Sequence, residues 1–145
     1  MSPNSAVAAA GLRALPPLLS ALIAVLAFLP VLGAGFVWDD PVLLSTAAGF
    51  GRWVDIWQAL SQGQMYLFGY FRPLGLAMLG FEQTLSGGST VLPHAVNLAL
   101  HALNAAAVAW IGITIAAARG LDARRSTFAG LLAGASYAIH PAVTE

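Results

Sequence analysis

The stretch LPPLLSALIAVLAFLPVL, residues 15–32, decides the fold class. None of its side chains is ionisable, and Ser20 is its one polar residue. A helix needs about 20 apolar residues to cross a bilayer, so this stretch predicts a membrane span at about residues 15–34. A signal peptide is the alternative, because Arg13 precedes the stretch. Its length favours a retained helix, since a signal core has about 7–15 residues.

The composition of the whole chain agrees with this interpretation. Of 145 residues, 59% are hydrophobic and 8% are charged, whereas about a quarter of the residues in soluble domains are charged. Six arginines balance six acids, which excludes a nucleic-acid binder acting through bulk charge. The absence of cysteine excludes a disulfide scaffold and a thiolate metal site. We expect an all-α integral membrane protein, a multi-span helical bundle with a partly helical outer loop after the first span.

Two further apolar runs predict two further spans. One covers residues 93–118, with Pro93 suited to a first helical turn, and it ends at the arginine-rich turn 119–125. The other starts at Ser126 and is predicted to end near residue 142. Residues 1–145 are thus expected to be the N-terminal transmembrane part of a larger domain, with the remainder not present.

The arginines predict the orientation, because basic residues in short loops stay on the cytoplasmic side of a membrane. Arg13 places the N-terminus there, and the turn 119–125 belongs on the same side. An even number of crossings must then separate them, so residues 35–92 form an outer loop. Within it, Pro73–Phe81 is predicted to be a short interfacial helix that does not cross.

Asp39 and Asp40 are the first candidates for chemistry. Two adjacent carboxylates at a membrane boundary repel each other and resist desolvation, so one of them could accept a proton. The alternative is a helix stop formed by the acidic pair and Pro41. From spacing alone, the two interpretations are about equally supported.

Four polar residues follow one face of the second predicted span, namely His94, Asn97, His101 and Asn104. A polar stripe inside a membrane must face protein or a water-filled cavity. For Asn97, His101 and Asn104 we favour bonding between packed helices, whereas His94, near the outer end, is a candidate for lining a site cavity. His94 and His101 are two turns apart, about 10 Å, which is too far for joint ligation of one metal ion.

Arginines in the outer loop have two predicted roles. Arg72, next to Pro73, is placed to bind phosphate oxygens, either of a lipid headgroup or of a lipid-linked substrate. Arg52 is expected to anchor an amphipathic helix with Asp55 as its local partner. If the third run crosses outward, His140 and Glu145 emerge on the same side as Arg72.

The order of these motifs resembles a known enzyme family. FVWDD (36–40), YFRPL (70–74), LPHAVNLALHALN (92–104) and IHPAVTE (139–145) occur in an order similar to that of membrane O-mannosyltransferase-like proteins with C-terminal tetratricopeptide repeats. These proteins belong to the GT-C glycosyltransferase superfamily. The resemblance covers nearly the whole chain from Phe36 onward and corresponds to the front portion of such a protein.

The resemblance implies transfer of a sugar, mannose or another hexose, from a polyprenyl-phosphate carrier to a protein or lipid acceptor on the periplasmic or lumenal face. It implies that Asp39 and Asp40 are catalytic, with Asp39 as the general base, and that Arg72 binds the donor phosphate. His94, His140 and Glu145 would line the cavity. The expected partners are the bilayer, the lipid-linked donor and the acceptor, without nucleic acid. No metal site is assigned, and the expected location is the bacterial inner membrane with the N-terminus in the cytoplasm.

Two other functions remain open from the sequence. A transporter or flippase would also place histidine and asparagine along a substrate path. A non-catalytic membrane assembly subunit would use Asp39 and Asp40 only to end a helix.

Overall fold

The computed structural model describes residues 3–36, 40–50, 52–62, 66–67 and 70–140. The described chain is mostly α-helical, as the sequence predicts. Its helices are α1 (Pro3–Phe28), α2 (Asp40–Ala47), α3 (Trp53–Ser61), α4 (Pro73–Ser86), α5 (Val91–Ala118) and α6 (Ala123–Ile139). A 3-10 helix, Leu29–Gly33, continues α1, and a short antiparallel hairpin pairs β1 (Tyr66–Leu67) with β2 (Tyr70–Phe71).

The chain forms two compact units. The first combines Met1–Pro30 with Asn97–Glu145, and the second is Val31–Val96. Helices α1, most of α5 and α6 therefore belong to the first unit. Helices α2, α3 and α4, the hairpin and the first turns of α5 belong to the second.

Small residues form the centre of the first unit. The buried positions of α6 recur every four residues, and those of α1 and α5 are also mostly alanine or serine. The small buried residues include Ser20 and Ala24 of α1, Ala102, Ala105, Ala109 and Ala116 of α5, and Ser126, Gly130, Gly134 and Ala138 of α6. Side chains of this size let helix backbones approach closely, as they do in packed membrane helices.

Two glycines of α6 show how close this approach is. A Cβ atom added at Gly130 would lie 2.7 Å from the carbonyl oxygen of Ala109 and would also meet Ile113. A Cβ at Gly134 would lie 2.6 Å from the Cβ of Ala109 and would meet Ser20. Any side chain larger than hydrogen would therefore force α6 away from its neighbours.

Large apolar side chains lie on the outside of the first unit. Leu18, Leu103 and Phe128 are between 65% and 67% exposed, although each lies in an apolar helix. Residues Arg13–Gly33 and Val91–Ala118 are long and apolar enough to cross a membrane. The unit thus hides small residues and presents large apolar ones.

A turn separates α5 from α6 as the sequence predicts, but it is shorter than the predicted 119–125, because α6 begins at Ala123. Gly120 adopts a left-handed conformation with φ of 82°, which glycine tolerates without steric cost. The N–H of Leu121 then donates to the carbonyl of Ala116, which satisfies a free carbonyl at the end of α5. Asp122 caps α6 by accepting a hydrogen bond of 2.8 Å from the N–H of Arg125.

The second unit has its own apolar core. Ala47 of α2, Ala59 of α3 and Leu76 of α4 are buried together with Phe50. Helix α4 approaches the end of α2 through Gly80, where an added Cβ would lie 2.5 Å from the carbonyl oxygen of Ala47. In the same unit, Asp40 begins α2 and Arg72 immediately precedes α4.

Candidate functional site

Asp40, the second residue of the acidic pair, stands at the start of a helix. Helix α1 and its 3-10 extension end at Gly33, and α2 begins at Asp40 with Pro41 in its first turn. Proline is suited to that position because its missing N–H would have no helical acceptor there. The helix-stop interpretation is therefore wrong for Asp40, which opens a helix. Asp39, the predicted general base, lies outside the described residues.

Arg72 is exposed and immediately precedes α4. Pro73 begins this helix, which extends to Ser86 and so beyond the Pro73–Phe81 segment predicted from sequence. The guanidinium carbon of Arg72 lies 5.6 Å from the centre of the Tyr70 ring, an arrangement that fits a cation–π contact. Within the described part of the chain, no carboxylate pairs with Arg72. Its five N–H donors are thus available to phosphate oxygens.

His94 lies in the first turn of α5 with its ring partly buried. The ring centre is 6.0 Å from that of Phe36, with the ring planes tilted by 46°. Its Nε2 atom is buried and has no hydrogen-bond partner among the described residues. A buried imidazole nitrogen without a hydrogen-bond partner is costly. That His94 lines a cavity stays a prediction.

The other members of the polar stripe on α5 have different surroundings. His101 packs between helices as predicted: its Nε2 lies 3.0 Å from the carbonyl oxygen of Ala138 in α6, and its ring contacts Phe28 of α1 edge to face. Asn97 and Asn104, in contrast, are exposed. We predicted that Asn97 and Asn104 form hydrogen bonds to a neighbouring packed helix. Within the first unit this prediction is wrong, because α5 packs on α1 and α6 through its opposite face.

The predicted local partnership of Arg52 and Asp55 is confirmed. Two hydrogen bonds of 2.9 Å join the guanidinium of Arg52 to both carboxylate oxygens of Asp55 at the start of α3. The hydrogen bonds from Arg52 lower the pKa of the Asp55 carboxyl. Trp53 and Trp57, one helical turn apart, are 80% and 74% exposed. Arg52 is therefore already paired with Asp55, whereas Arg72 has no such ion pair among the described residues; the anchoring role of Arg52 stays a prediction.

The two units divide the candidate residues. Asp40, Arg72 and His94 belong to the second unit, whereas His140 belongs to the first, where it ends α6 and donates its N–H to the carbonyl of Tyr137. Glu145, the last cavity residue predicted from sequence, lies outside the described residues.

Glu82 is a further candidate that the sequence reasoning missed. It lies in α4, is only 7% exposed, and its Oε1 atom is buried without a hydrogen-bond partner among the described residues. Burial raises the pKa of the Glu82 carboxyl, because desolvation disfavours the charged form. One sequence signal could have identified it, since Glu82 is the sole charged residue between Pro73 and Ser86.

We expect the stability of the second unit to depend on the protonation of Glu82. The raised pKa means that the folded state binds this proton more tightly than the unfolded state does. Stability is therefore greatest below the ordinary glutamate pKa of 4.5 and falls as the pH rises through the raised pKa. Glu82→Gln should remove this dependence and stabilise the protein at pH 8, by about 1 kcal/mol. Thermal unfolding midpoints in detergent between pH 4 and pH 8 measure the effect.

Asp55→Asn is the matched control, because the pKa of Asp55 is shifted in the opposite direction. Loss of this carboxylate should lower stability, in full above the ordinary aspartate pKa of 3.8 and progressively less as the pH falls through the lowered pKa. If the unfolding midpoints of Glu82→Gln and of the parent protein depend on pH in the same way, Glu82 is not the group whose titration changes the stability.

The described residues include no group of three or more histidines and acids that could hold a metal ion. The chain matches no protein-family model, no curated protein and no solved structure. The motifs and the geometry of this chain are therefore what indicate its function.

Proposed function

We propose that the chain is part of an integral membrane protein, with α1 and α5 crossing the bilayer. The exposed apolar side chains of the first unit and its centre of small residues support this proposal, because lipid solvates apolar surface and helices in lipid associate through close backbone contact. The arginines place the N-terminus and the turn 119–125 in the cytoplasm. Residues 35–92 are then on the outer face of the membrane. In a bacterial cell, this face is by our proposal the periplasmic side of the inner membrane.

We further propose that the protein is a GT-C-type glycosyltransferase that uses a polyprenyl-phosphate sugar. The observation that carries this proposal is the grouping of Asp40, Arg72 and His94, residues from three of the four motifs, in the compact unit Val31–Val96. In our topology, residues 35–92 of this unit lie on the outer face of the membrane, and His94 lies at the outer end of α5. A lipid-linked donor presents its phosphate at that depth.

The proposed reaction is a direct displacement with inversion. Asp39 takes the proton of an acceptor hydroxyl as the hydroxyl oxygen bonds to the anomeric carbon of the sugar. The bond from that carbon to the phosphate oxygen breaks, and the polyprenyl phosphate leaves with the bonding electrons. Arg72 stabilises the negative charge that develops on the phosphate. The carboxylate of Asp40, next to Asp39, disfavours the charged form of Asp39 and so favours its uptake of a proton.

Arg72→Ala in the full-length protein should lower the kcat/KM for transfer from a polyprenyl-phosphate sugar by about tenfold to a hundredfold. The reason is that one hydrogen bond to a charged group contributes roughly 1.5–3 kcal/mol. The measurement is sugar transfer by the purified, reconstituted protein. Arg72→Lys should retain part of the activity, because lysine keeps the charge but loses the two-pronged contact.

Arg52→Ala is the control, since Arg52 is also exposed and near a helix start but is already bonded to Asp55. It should leave the transfer rate close to that of the parent. Equal losses in the two variants would mean that general loop stability, and not phosphate binding, explains the Arg72 effect.

A further inference from the structure

The last turn of α6 contains a buried carbonyl that needs a donor from outside the helix. Ala138 is 0% exposed, and α6 ends one residue later at Ile139, so no following helical turn supplies an N–H to the Ala138 carbonyl. A buried carbonyl without a hydrogen bond is costly. The Nε2 atom of His101, in α5, lies 3.0 Å from this oxygen. A side chain of α5 therefore satisfies the end of α6.

This contact determines which ring nitrogen of His101 carries hydrogen. A carbonyl oxygen only accepts hydrogen bonds, so Nε2 must carry a hydrogen and donate it. Two aromatic rings hold the imidazole in this orientation. The ring of Tyr137, in α6, stacks on it with the centres 5.6 Å apart and the planes inclined by 30°. The ring of Phe28, the last residue of α1, meets it edge to face at 5.3 Å.

His101 thus lies at the level at which α1 and α6 both end. Helix α6 runs back beside α5, since a Cβ added at Gly112 would lie 3.1 Å from the Cα of Gly130, and His101 meets Ala138 further along. From Ala118 to His101, α5 rises about 26 Å, whereas the hydrocarbon core of a bilayer is about 30 Å thick. In our topology, the bond between His101 and Ala138 is therefore near the outer limit of the core, where lipid offers the carbonyl no donor.

We infer that His101 is a positioning residue that caps α6 from the neighbouring helix. It holds the last turn of α6 against the end of α1, and so fixes where the chain leaves the first unit at His140, the residue that follows α6. The cap requires only the fold of the first unit. Its effect on activity rests on the proposed function, in which His140 lines the site cavity.

Three substitutions separate the hydrogen bond from the packing of the ring. Phenylalanine keeps a ring between Phe28 and Tyr137 but has no donor for the Ala138 carbonyl. Glutamine loses the ring, but its amide nitrogen is as many bonds from the backbone as Nε2 of histidine is. The amide nitrogen of asparagine is one bond nearer the backbone and matches Nδ1. A cap predicts that glutamine replaces His101 better than asparagine or phenylalanine does.

Nitrogen-15 NMR of the full-length protein, labelled at histidine and reconstituted in lipid nanodiscs, tests the hydrogen position directly. The spectrum is recorded at mildly alkaline pH, at which a free histidine is neutral, and the signals that disappear in His101→Gln are those of His101. We expect a directly bonded hydrogen on Nε2. A ring with hydrogen on Nδ1 alone would overturn the proposal. This experiment uses the parent protein, so it does not depend on the stability of any variant.

Amide hydrogen exchange at the end of α6 measures the cap. His101→Phe should speed exchange at Ala138 and Ile139 by about threefold to tenfold, the factor that one hydrogen bond contributes. His101→Gln should retain most of the protection, and His101→Asn should not. Leu103→Phe, which places the same residue at an exposed position of α5, is the matched control and should change nothing. Equal exchange in His101→Phe and the parent would contradict the cap.

Sugar transfer by the same variants tests the positioning role. His101→Phe should lower transfer by about tenfold or more, because small displacements of a site residue have effects of this size, and His101→Gln should restore most of it. Parental transfer by His101→Phe, together with faster exchange at α6, would mean that the cap does not position the site. A parent protein without transfer activity would contradict the proposed function instead, and the NMR and exchange results would still decide the cap.

Discussion

Gly130→Val is expected to destabilise the first unit by about 3 kcal/mol or more. Its Cβ would lie 2.7 Å from the carbonyl oxygen of Ala109 and would meet Ile113. A carbonyl oxygen in the middle of α5 cannot move without bending that helix, so α6 must shift away and lose its close contacts. Insertion of extra carbon atoms into a packed centre costs typically 1–3 kcal/mol, and here the obstruction is backbone. Unfolding of the purified protein in detergent measures the loss.

Ser136→Val is the matched control for this variant. It also places a β-branched residue in α6, but at an exposed position, so it should change the stability by less than about 0.5 kcal/mol. If Gly130→Val and the parent protein have the same unfolding midpoint, α5 and α6 do not approach each other as closely as the structure shows.

Asp39→Asn is expected to lower sugar transfer by about 100-fold or more. The substitution keeps the shape of the side chain but removes its ability to take the proton of the acceptor hydroxyl, a contribution of about 10²–10⁴-fold in enzymes that use general bases. Donor binding through Arg72 should persist, so the KM for the lipid-linked sugar should change little. The measurement is transfer by the reconstituted full-length protein, with membrane insertion confirmed for each variant.

The control is Asp55→Asn, which removes an outer-loop carboxylate that is paired with Arg52. It should leave transfer near the parental rate. Transfer by Asp39→Asn at the parental rate would exclude the general-base role and would favour a non-catalytic subunit. A transporter or flippase would instead move its substrate across vesicle membranes without forming a glycosylated product.

The sequence predicts those parts of the fold that depend on local chemistry. The turn at Gly120, the Arg52–Asp55 pair and a helix starting at Pro73 each follow from neighbouring residues alone, and the structure confirms them. The hairpin of Tyr66–Leu67 and Tyr70–Phe71 was not predicted. It is too short to show an alternating pattern, and its aromatic residues equally suit a membrane interface.

Features that depend on distant contacts were not predicted from the sequence. The burial of Glu82 depends on how the second unit packs around α4, and a single acid in an apolar helix does not indicate whether it faces water. The polar stripe on α5 presented a similar difficulty. His94, Asn97, His101 and Asn104 lie within one arc of the helix, but only the packing of α1 and α6 decides that His101 is covered while Asn97 and Asn104 are exposed.

The central claim of our account is that α1 and α5 cross a membrane and leave residues 35–92 on its outer face. Single cysteines at Gln62, Ser89 and Ala123 test it in intact cells with a thiol reagent that does not cross membranes. These exposed positions avoid Gly87 and Gly120, whose positive φ angles would strain a cysteine.

We expect this topology to give labelling at Gln62 and Ser89 in intact cells, and labelling at Ala123 only after the membrane is permeabilised. Labelling at Ala123 but not at Gln62 and Ser89, or equal labelling at all three positions in intact cells, would contradict it.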